Sequence, residues 1–186
     1  MTNNHHSDTK KQDEKPLPSG WRWVRLGEVC QIKGGKRLPK GHDFADGKTN
    51  YPYLRVIDFG NGTVRSNGLK YLSENTQREI SRYIIRSQDV YISIAGSIGI
   101  VGTIPPELDG ANLTENAARL IIGDPSALDG KYVAGFLRSP SGQEQIEVRT
   151  NKVGQPKLAL ERIATVMLPL PPFPNRNALL LSWQSS

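Results

Sequence analysis

The apolar residues of this chain come in short runs broken by glycine, proline and asparagine as far as about residue 122, and only beyond that point do they recur at helical spacing. With 18 glycines and 13 prolines in 186 residues, long helices are excluded from the first two thirds, since an interior glycine costs about 1 kcal/mol and a proline about 3 kcal/mol of helix stability. Strands come first and helices follow. Trp23 to Leu26 alternates as a strand would, and Gly34 to Gly41 is a basic loop that glycine and proline keep irregular. Tyr53 to Phe59 reads as a strand that turns at Gly60-Asn61-Gly62 and returns through Thr63-Val64-Arg65. Ser73 can cap a short helix to about Arg82. Val90 to Ile94 and Ile98 to Ile104 are two strands joined tightly at Gly96-Ser97, with a third at Ala118 to Ile122. Lys131 to Leu137 and Ser141 to Val148 then carry the spacing of amphipathic helices. A polar loop from Arg149 to Lys157, a short helix at Leu158 to Ile163 and a strand at Thr165 to Leu170 complete the series, and Pro171-Pro172-Phe173-Pro174 stops it. The expected class is α+β, a mixed β-sheet core with short helices.

A hydrophobic content of 37% supports one core of ordinary size. No stretch of about 18 apolar residues occurs, and Met1 to Lys15 is polar with no apolar centre, so the protein is expected to be soluble and cytoplasmic, with no membrane partner. Cys30 is the single cysteine. An intramolecular disulfide is impossible, no metal site is expected, and Cys30 reads as a small buried residue. His5 and His6 stand in the polar arm and His42 is isolated, so none is given a role.

Charge is more informative than composition. Between Lys33 and Arg86 lie eleven basic and five acidic residues, which accounts for the whole formal excess of +6. Clustered cations of this kind attract phosphate backbones through counterion release.

Motifs that would announce catalysis fail on their chemistry. Gly34-Gly35-Lys36-Arg37 resembles a phosphate-binding loop, yet Arg37 stands where a magnesium-binding Ser or Thr is required and Cys30 where the first glycine should be. Gly96 to Gly102 is glycine-rich, but with the wrong spacing for a dinucleotide fingerprint and between two strands. Leu170-Pro171-Pro172-Phe173 has the shape of the adenine-methyltransferase motif, whose first residue must accept hydrogen bonds from the base amino group; Leu170 cannot.

The order of several segments resembles the specificity subunit of type I restriction-modification systems. Leu17-Pro18-Ser19-Gly20-Trp21 followed by Val24 to Val29 is similar to the opening of one of its target-recognition domains, and Pro52-Tyr53-Leu54-Arg55-Val56 to its P-x-L-R-V strand. Gln88 to Ser93 resembles its G-D-V-L-x-S segment and Gly96-Ser97-Ile98-Gly99 its G-S-x-G turn. Gly154-Gln155-Pro156-Lys157-Leu158 resembles its G-x-x-Q-x-x-L loop with the glutamine displaced, and Met167 to Pro172 its I-P-L-P-P closing strand. The resemblance spans Leu17 to Pro172 and implies a domain that reads half of a split DNA target and directs methyltransferase (M) and, through them, restriction (R) subunits to it. Such a domain is not an enzyme. It needs no cofactor of its own, because S-adenosylmethionine, ATP and magnesium would belong to the partner subunits.

The chain departs from that family after the Pro-Pro pair. A Glu-Gln-containing start of a long helix is replaced by Phe173-Pro174-Asn175-Arg176, and the remaining residues are too few for a coiled-coil seam. The long coiled-coil helix is expected to be lacking. The organisation expected is therefore a disordered polar arm over residues 1–16, a DNA target-recognition domain over residues 17–172 and a truncated or altered tail over residues 173–186, with a second specificity half as a potential partner.

Candidate contacts divide into phosphate anchors and base readers. Lys33, Lys36, Arg37 and Lys40, on a basic loop, suit phosphates, and Lys152 and Lys157 are further candidate DNA contacts. Base edges require rigid donor and acceptor pairs, for which Arg65, Asn67, Asn112, Thr114, Asn116, Arg149, Asn151 and Gln155 are candidates, whereas Arg55, inside a strand, fits a structural ion pair. The alternatives are an enzyme with an unrecognised methyltransferase or nuclease site, and an interaction protein that binds methyltransferase subunits without reading DNA.

Overall fold

The structure, a computed structural model, describes residues 16–172. The arm over residues 1–15 and the tail over residues 173–186, with the expectations attached to them, lie outside the described residues. The chain enters through β1 (Arg22–Arg25), which pairs antiparallel with the last strand, β12 (Met167–Leu170), so that Arg22 faces Leu170 and Arg25 faces Met167. Both ends of the domain are thus closed by one two-stranded ribbon.

Two four-stranded sheets form the body. The first holds β2 (Cys30–Gly34), β8 (Val90–Ser93), β9 (Val101–Thr103) and β11 (Ala117–Ile122) in the order β2-β11-β8-β9, all antiparallel. The second holds β3 (Pro52–Leu54), β6 (Lys70–Tyr71), β7 (Ile84–Ile85) and β10 (Ala111–Leu113) in the order β6-β3-β10-β7, with β3 and β10 parallel. Helices α3 (Gly130–Arg138), α4 (Pro140–Arg149) and α5 (Leu160–Ile163) bury Val133, Leu137, Ile146 and Ile163 in one core with Leu26, Val90, Ile92, Leu120 and Leu168. A second core gathers Leu54, Phe59, Ile85, Tyr91 and Leu113. Tyr91 joins it to the first sheet: its ring stacks on Phe59 at 4.0 Å and its hydroxyl donates to the Thr63 carbonyl at 2.6 Å. Mixed sheets with short helices make the fold α+β, as expected.

Several elements follow from their residues. Asn61 and Gly62 take φ of 53° and 76°, the left-handed pair needed by a two-residue turn, and connect β4 (Phe59–Gly60) to β5 (Thr63–Val64). Ser73 caps α2 (Glu74–Glu79) by accepting from the Thr76 amide at 3.2 Å. Ser73→Ala is expected to cost about 1 kcal/mol, read in urea denaturation; an unchanged midpoint would show that the neighbouring hydrogen bond between His42 and Thr76, 2.8 Å, holds this helix start by itself. Burial pushes the Cys30 thiol up to about 12, as suits a packed residue.

Local hydrogen bonding overrides periodicity in two places. The strand expected from Tyr53 to Phe59 stops at Leu54, because the buried Asp58 carboxylate accepts from the Arg55 amide at 2.8 Å and from its guanidinium at 2.9 and 3.1 Å, winding Val56–Asp58 into a tight turn. Arg55 is thereby the structural ion pair its position implied. Leu26, expected to end a strand, begins α1 (Leu26–Val29), since Glu28 accepts from the Arg25 amide at 3.0 Å. Gly96-Ser97 is not a tight turn: the segment from Ile94 to Ile100 forms a longer loop, pinned by the Ser93 hydroxyl to the Ser97 carbonyl at 2.5 Å and the Ile100 amide at 2.8 Å.

Candidate nucleic-acid interface

Strand register brings distant loops to one pole of the molecule. Ala118 faces Gly34 and Ala117 faces Ser93, so the end of β2, the end of β8 and the start of β11 lie side by side. The segments beyond them, 35–40, 94–100 and 114–116, therefore emerge together. β3 and β10 run parallel and end at Leu54 and Leu113, which adds the 55–58 turn to the same pole. A fifth segment, 151–157, is tied on by a bridge between Ala95 and Lys157 and by the Leu158 amide donating to the Ile94 carbonyl at 3.0 Å.

The loops are anchored through their backbones. Gly35 N–H donates to the Ala117 carbonyl at 3.0 Å, Lys36 N–H to the Leu113 carbonyl at 2.8 Å, and the Tyr53 hydroxyl to the Lys36 carbonyl at 2.8 Å. This leaves the cationic heads outside. The Lys36 ammonium stands 5.8 Å from the centre of the Tyr83 ring. Arg37, largely exposed, pairs with Glu115 at 3.2 Å, a surface bond weak enough to be exchanged for a phosphate. Lys40 is exposed further along the same loop, and Lys33 is exposed on β2 opposite Arg119. Lys152 pairs with Glu147 at 2.9 Å, both exposed, and this contact holds the Glu147 carboxyl below its ordinary range.

The fourteen residues singled out from sequence do not all reach this pole. Lys36, Arg37, Asn116, Asn151, Lys152, Gln155 and Lys157 do, all with exposed side chains. Asn67 sits in an exposed turn beside Gly68, whose carbonyl accepts from Arg55 at 3.1 Å. Arg65 is exposed but folds back on its own hairpin, donating to the Phe59 carbonyl at 3.0 Å, and that hairpin docks at Thr103, the end of β9 remote from the pole. Three expectations are corrected. Asn112 is only 1% exposed, and its amide donates to the Ile80 carbonyl at 2.8 Å, which couples β10 to the end of α2 inside the fold. Thr114 is also buried, with its hydroxyl directed to Glu115 at 2.9 Å. Arg149 closes α4 and spends its guanidinium on the Gln145 carbonyl and on the hydroxyl and carbonyl of Thr165, so it staples α4 to the last turn before β12. Sequence spacing alone cannot separate a loop asparagine from one in the middle of a three-residue strand. Val153 at the tip of the 151–157 loop is a pole residue that donor and acceptor counting passed over.

Loops from remote parts of the chain, held by backbone bonds and offering cations and amides to solvent, define a surface-binding α+β module. Among the described residues no group of three or more His, Cys, Asp and Glu is placed to hold a metal ion, and no helix is long and apolar enough to cross a membrane. Residues 18–178 match the family described as the type I restriction modification DNA specificity domain, and the chain belongs to that family. It is 24% identical over 159 residues to the specificity subunit of the type I restriction enzyme EcoBI of Escherichia coli, a match that spans 83% of this chain and 32% of that protein. It is 22% identical over 179 residues to the specificity subunit of the type I restriction enzyme MjaVIII of Methanocaldococcus jannaschii, spanning 94% of this chain and 41% of the other. Among solved structures, a chain from a study of complex assembly and conformational transition in the type I R-M system superposes with a TM-score of 0.70 at 24% identity, over 93% of this chain and 40% of that one. The HsdS subunit from Thermoanaerobacter tengcongensis superposes with a TM-score of 0.64 at 24% identity, over 90% and 37%. The chain thus spans about a third to two fifths of these relatives.

Proposed function

We propose that residues 17–172 form a target-recognition domain that reads one half of a split double-stranded DNA site as the specificity component of a type I restriction-modification system. The observation that carries this reading is the convergence of five loop segments on one pole, where Lys36, Arg37, Asn116, Asn151, Lys152, Gln155 and Lys157 stand exposed on backbone-anchored supports. Cations on such supports position a duplex, and amides beside them meet base edges. Methylation and cleavage belong to M and R subunits that this domain directs, and S-adenosylmethionine, ATP and magnesium are theirs. A second specificity half supplies the other part of the split site. The setting is the cytoplasm.

The binding mode has a direct test. Duplex affinity is expected to fall steeply with salt, and Lys36→Ala should weaken binding on all sequences alike while lowering the slope of log K against log salt by about one. Gln155→Ala should keep that slope and lose preference for the selected sequence by about 1–3 kcal/mol for the bidentate contact removed, whereas Asn151→Ala should lower stability first, because the Asn151 side-chain oxygen accepts from the Val153 amide at 3.0 Å. Affinity independent of salt, or no binding at low salt, would overturn the proposal.

A further inference from the structure

The loop from Asn151 to Lys157 carries an apolar residue at a place where the fold has no use for one. Val153 is 85% exposed, the largest exposure of any large apolar side chain among the described residues. Its position is nevertheless fixed. The Asn151 amide donates to the Lys157 carbonyl at 3.0 Å and the Lys157 amide to the Asn151 carbonyl at 3.1 Å, closing the loop at its base. Inside it, the Asn151 side-chain oxygen accepts from the Val153 amide at 3.0 Å, and Gly154 follows at φ 72°. The base is joined to the end of β8 through Ala95. A β-branched side chain adds stiffness at χ1, so the isopropyl group is presented by the backbone and not by packing.

The surroundings point to what such a group meets. Lys152 and Lys157 flank it, both exposed, and Gln155 lies two residues on. The Asn151 side-chain oxygen is already engaged within the loop, which weakens Asn151 as a partner for adenine and shifts the loop's reading capacity towards Val153 and Gln155. In the major groove the apolar feature of the base edges is the 5-methyl group of thymine. We propose that Val153 is a specificity-determining residue that packs against a thymine methyl in the major groove, with Lys152 and Lys157 on the flanking phosphates; this rests on the DNA-reading function proposed above.

The test uses the full chain and the duplex recovered by selection from a randomised pool. Each thymine of that duplex is replaced in turn by deoxyuridine, which removes only the methyl group. One replacement is expected to weaken wild-type binding about fourfold, the factor that corresponds to about 0.8 kcal/mol for one buried methyl, and to leave Val153→Ala unaffected. The variant should melt with the wild type, because the side chain it shortens is exposed. A selected duplex with no thymine in the protected half, or deoxyuridine effects of equal size in both proteins, overturns the assignment of Val153 and leaves DNA reading standing. Failure to recover any preferred duplex overturns sequence reading itself, and this assignment with it.

Discussion

Gly35→Ala is expected to cost about 3 kcal/mol of folding stability, at the upper end of what overpacking exacts, and to lower the melting temperature by about 10 °C. A Cβ at this position would stand 2.1 Å from the Thr114 carbonyl oxygen and 2.3 Å from that of Leu113. Both obstacles are backbone, so no rotamer change relieves them. The crossing can open only by breaking the bonds from Gly35 to Ala117 and from Lys36 to Leu113, which are the bonds that seat the basic loop. The variant should therefore lose duplex affinity even in its folded fraction. A denaturation midpoint within 0.5 kcal/mol of wild type, roughly the range of neutral surface changes, would show that the loop does not pass β10 this closely.

The second large effect concerns Arg119 and Asp89. Arg119 points away from the core face of β11 and donates to the carbonyls of Ile84 and Arg82, linking the two sheets, while its guanidinium lies 3.9 Å from the buried Asp89 carboxylate. Asp89 accepts from the Arg86 amide at 2.9 Å through one oxygen, and its other oxygen has no partner among the described residues. Burial raises the Asp89 carboxyl above its ordinary 3.8, against the pull of the Arg86 amide and of Arg119. Arg119→Met keeps an unbranched apolar stem and removes the charge, leaving a carboxylate uncompensated inside the protein. The expected loss at neutral pH is about 3 kcal/mol. Its pH dependence has a definite sign. A carboxyl whose folded pKa exceeds its unfolded one is best tolerated when protonated, so the stability tied to it is complete below about 3.8 and lost as pH rises through the folded value. Removing Arg119 raises that folded value further. The gap between variant and wild type should therefore shrink as pH falls from 7 towards the acid range, measured as a difference in urea midpoints at each pH. A gap that stays constant across this range would locate the loss in the carbonyl bonds to Ile84 and Arg82 instead.

Much of the fold is legible from residue spacing because local rules decide it. The Asn61-Gly62 turn, the Ser73 cap and the two helices after Asp129 each rest on interactions within a few residues, and each stands where its signal lies. The strand through Arg55 fails because a carboxylate three residues on competes for its amide, which hydrophobic alternation does not register. The interface is legible in its charges and illegible in its geometry. Lys36 and Arg37 come to the pole because β2 ends at Gly34, a boundary that the glycine pair marks in the sequence. Asn112 and Thr114 look like loop residues beside Asn116, yet their neighbours are set by β3, about sixty residues earlier, and no local pattern encodes that pairing. Arg149 looks like part of the loop that starts one residue later, but it closes α4, and the Thr165 that claims its guanidinium lies sixteen residues on, beyond the reach of local spacing.

The bridge between Asn151 and Lys157 separates two tasks that a continuous loop would mix. Everything that fastens the segment to the sheet lies at or below that bridge, through Ala95, Ile94 and Leu158, and residues 152–156 stand exposed above it. Residues 152–156 are in this sense an interchangeable cassette, since their identity and number enter no strand register and no core contact. New sequence preferences could arise by replacing residues 152, 153, 155 and 156 around Gly154, whose φ of 72° keeps it glycine, without renegotiating the scaffold, and a library confined to those positions would explore recognition at nearly constant stability.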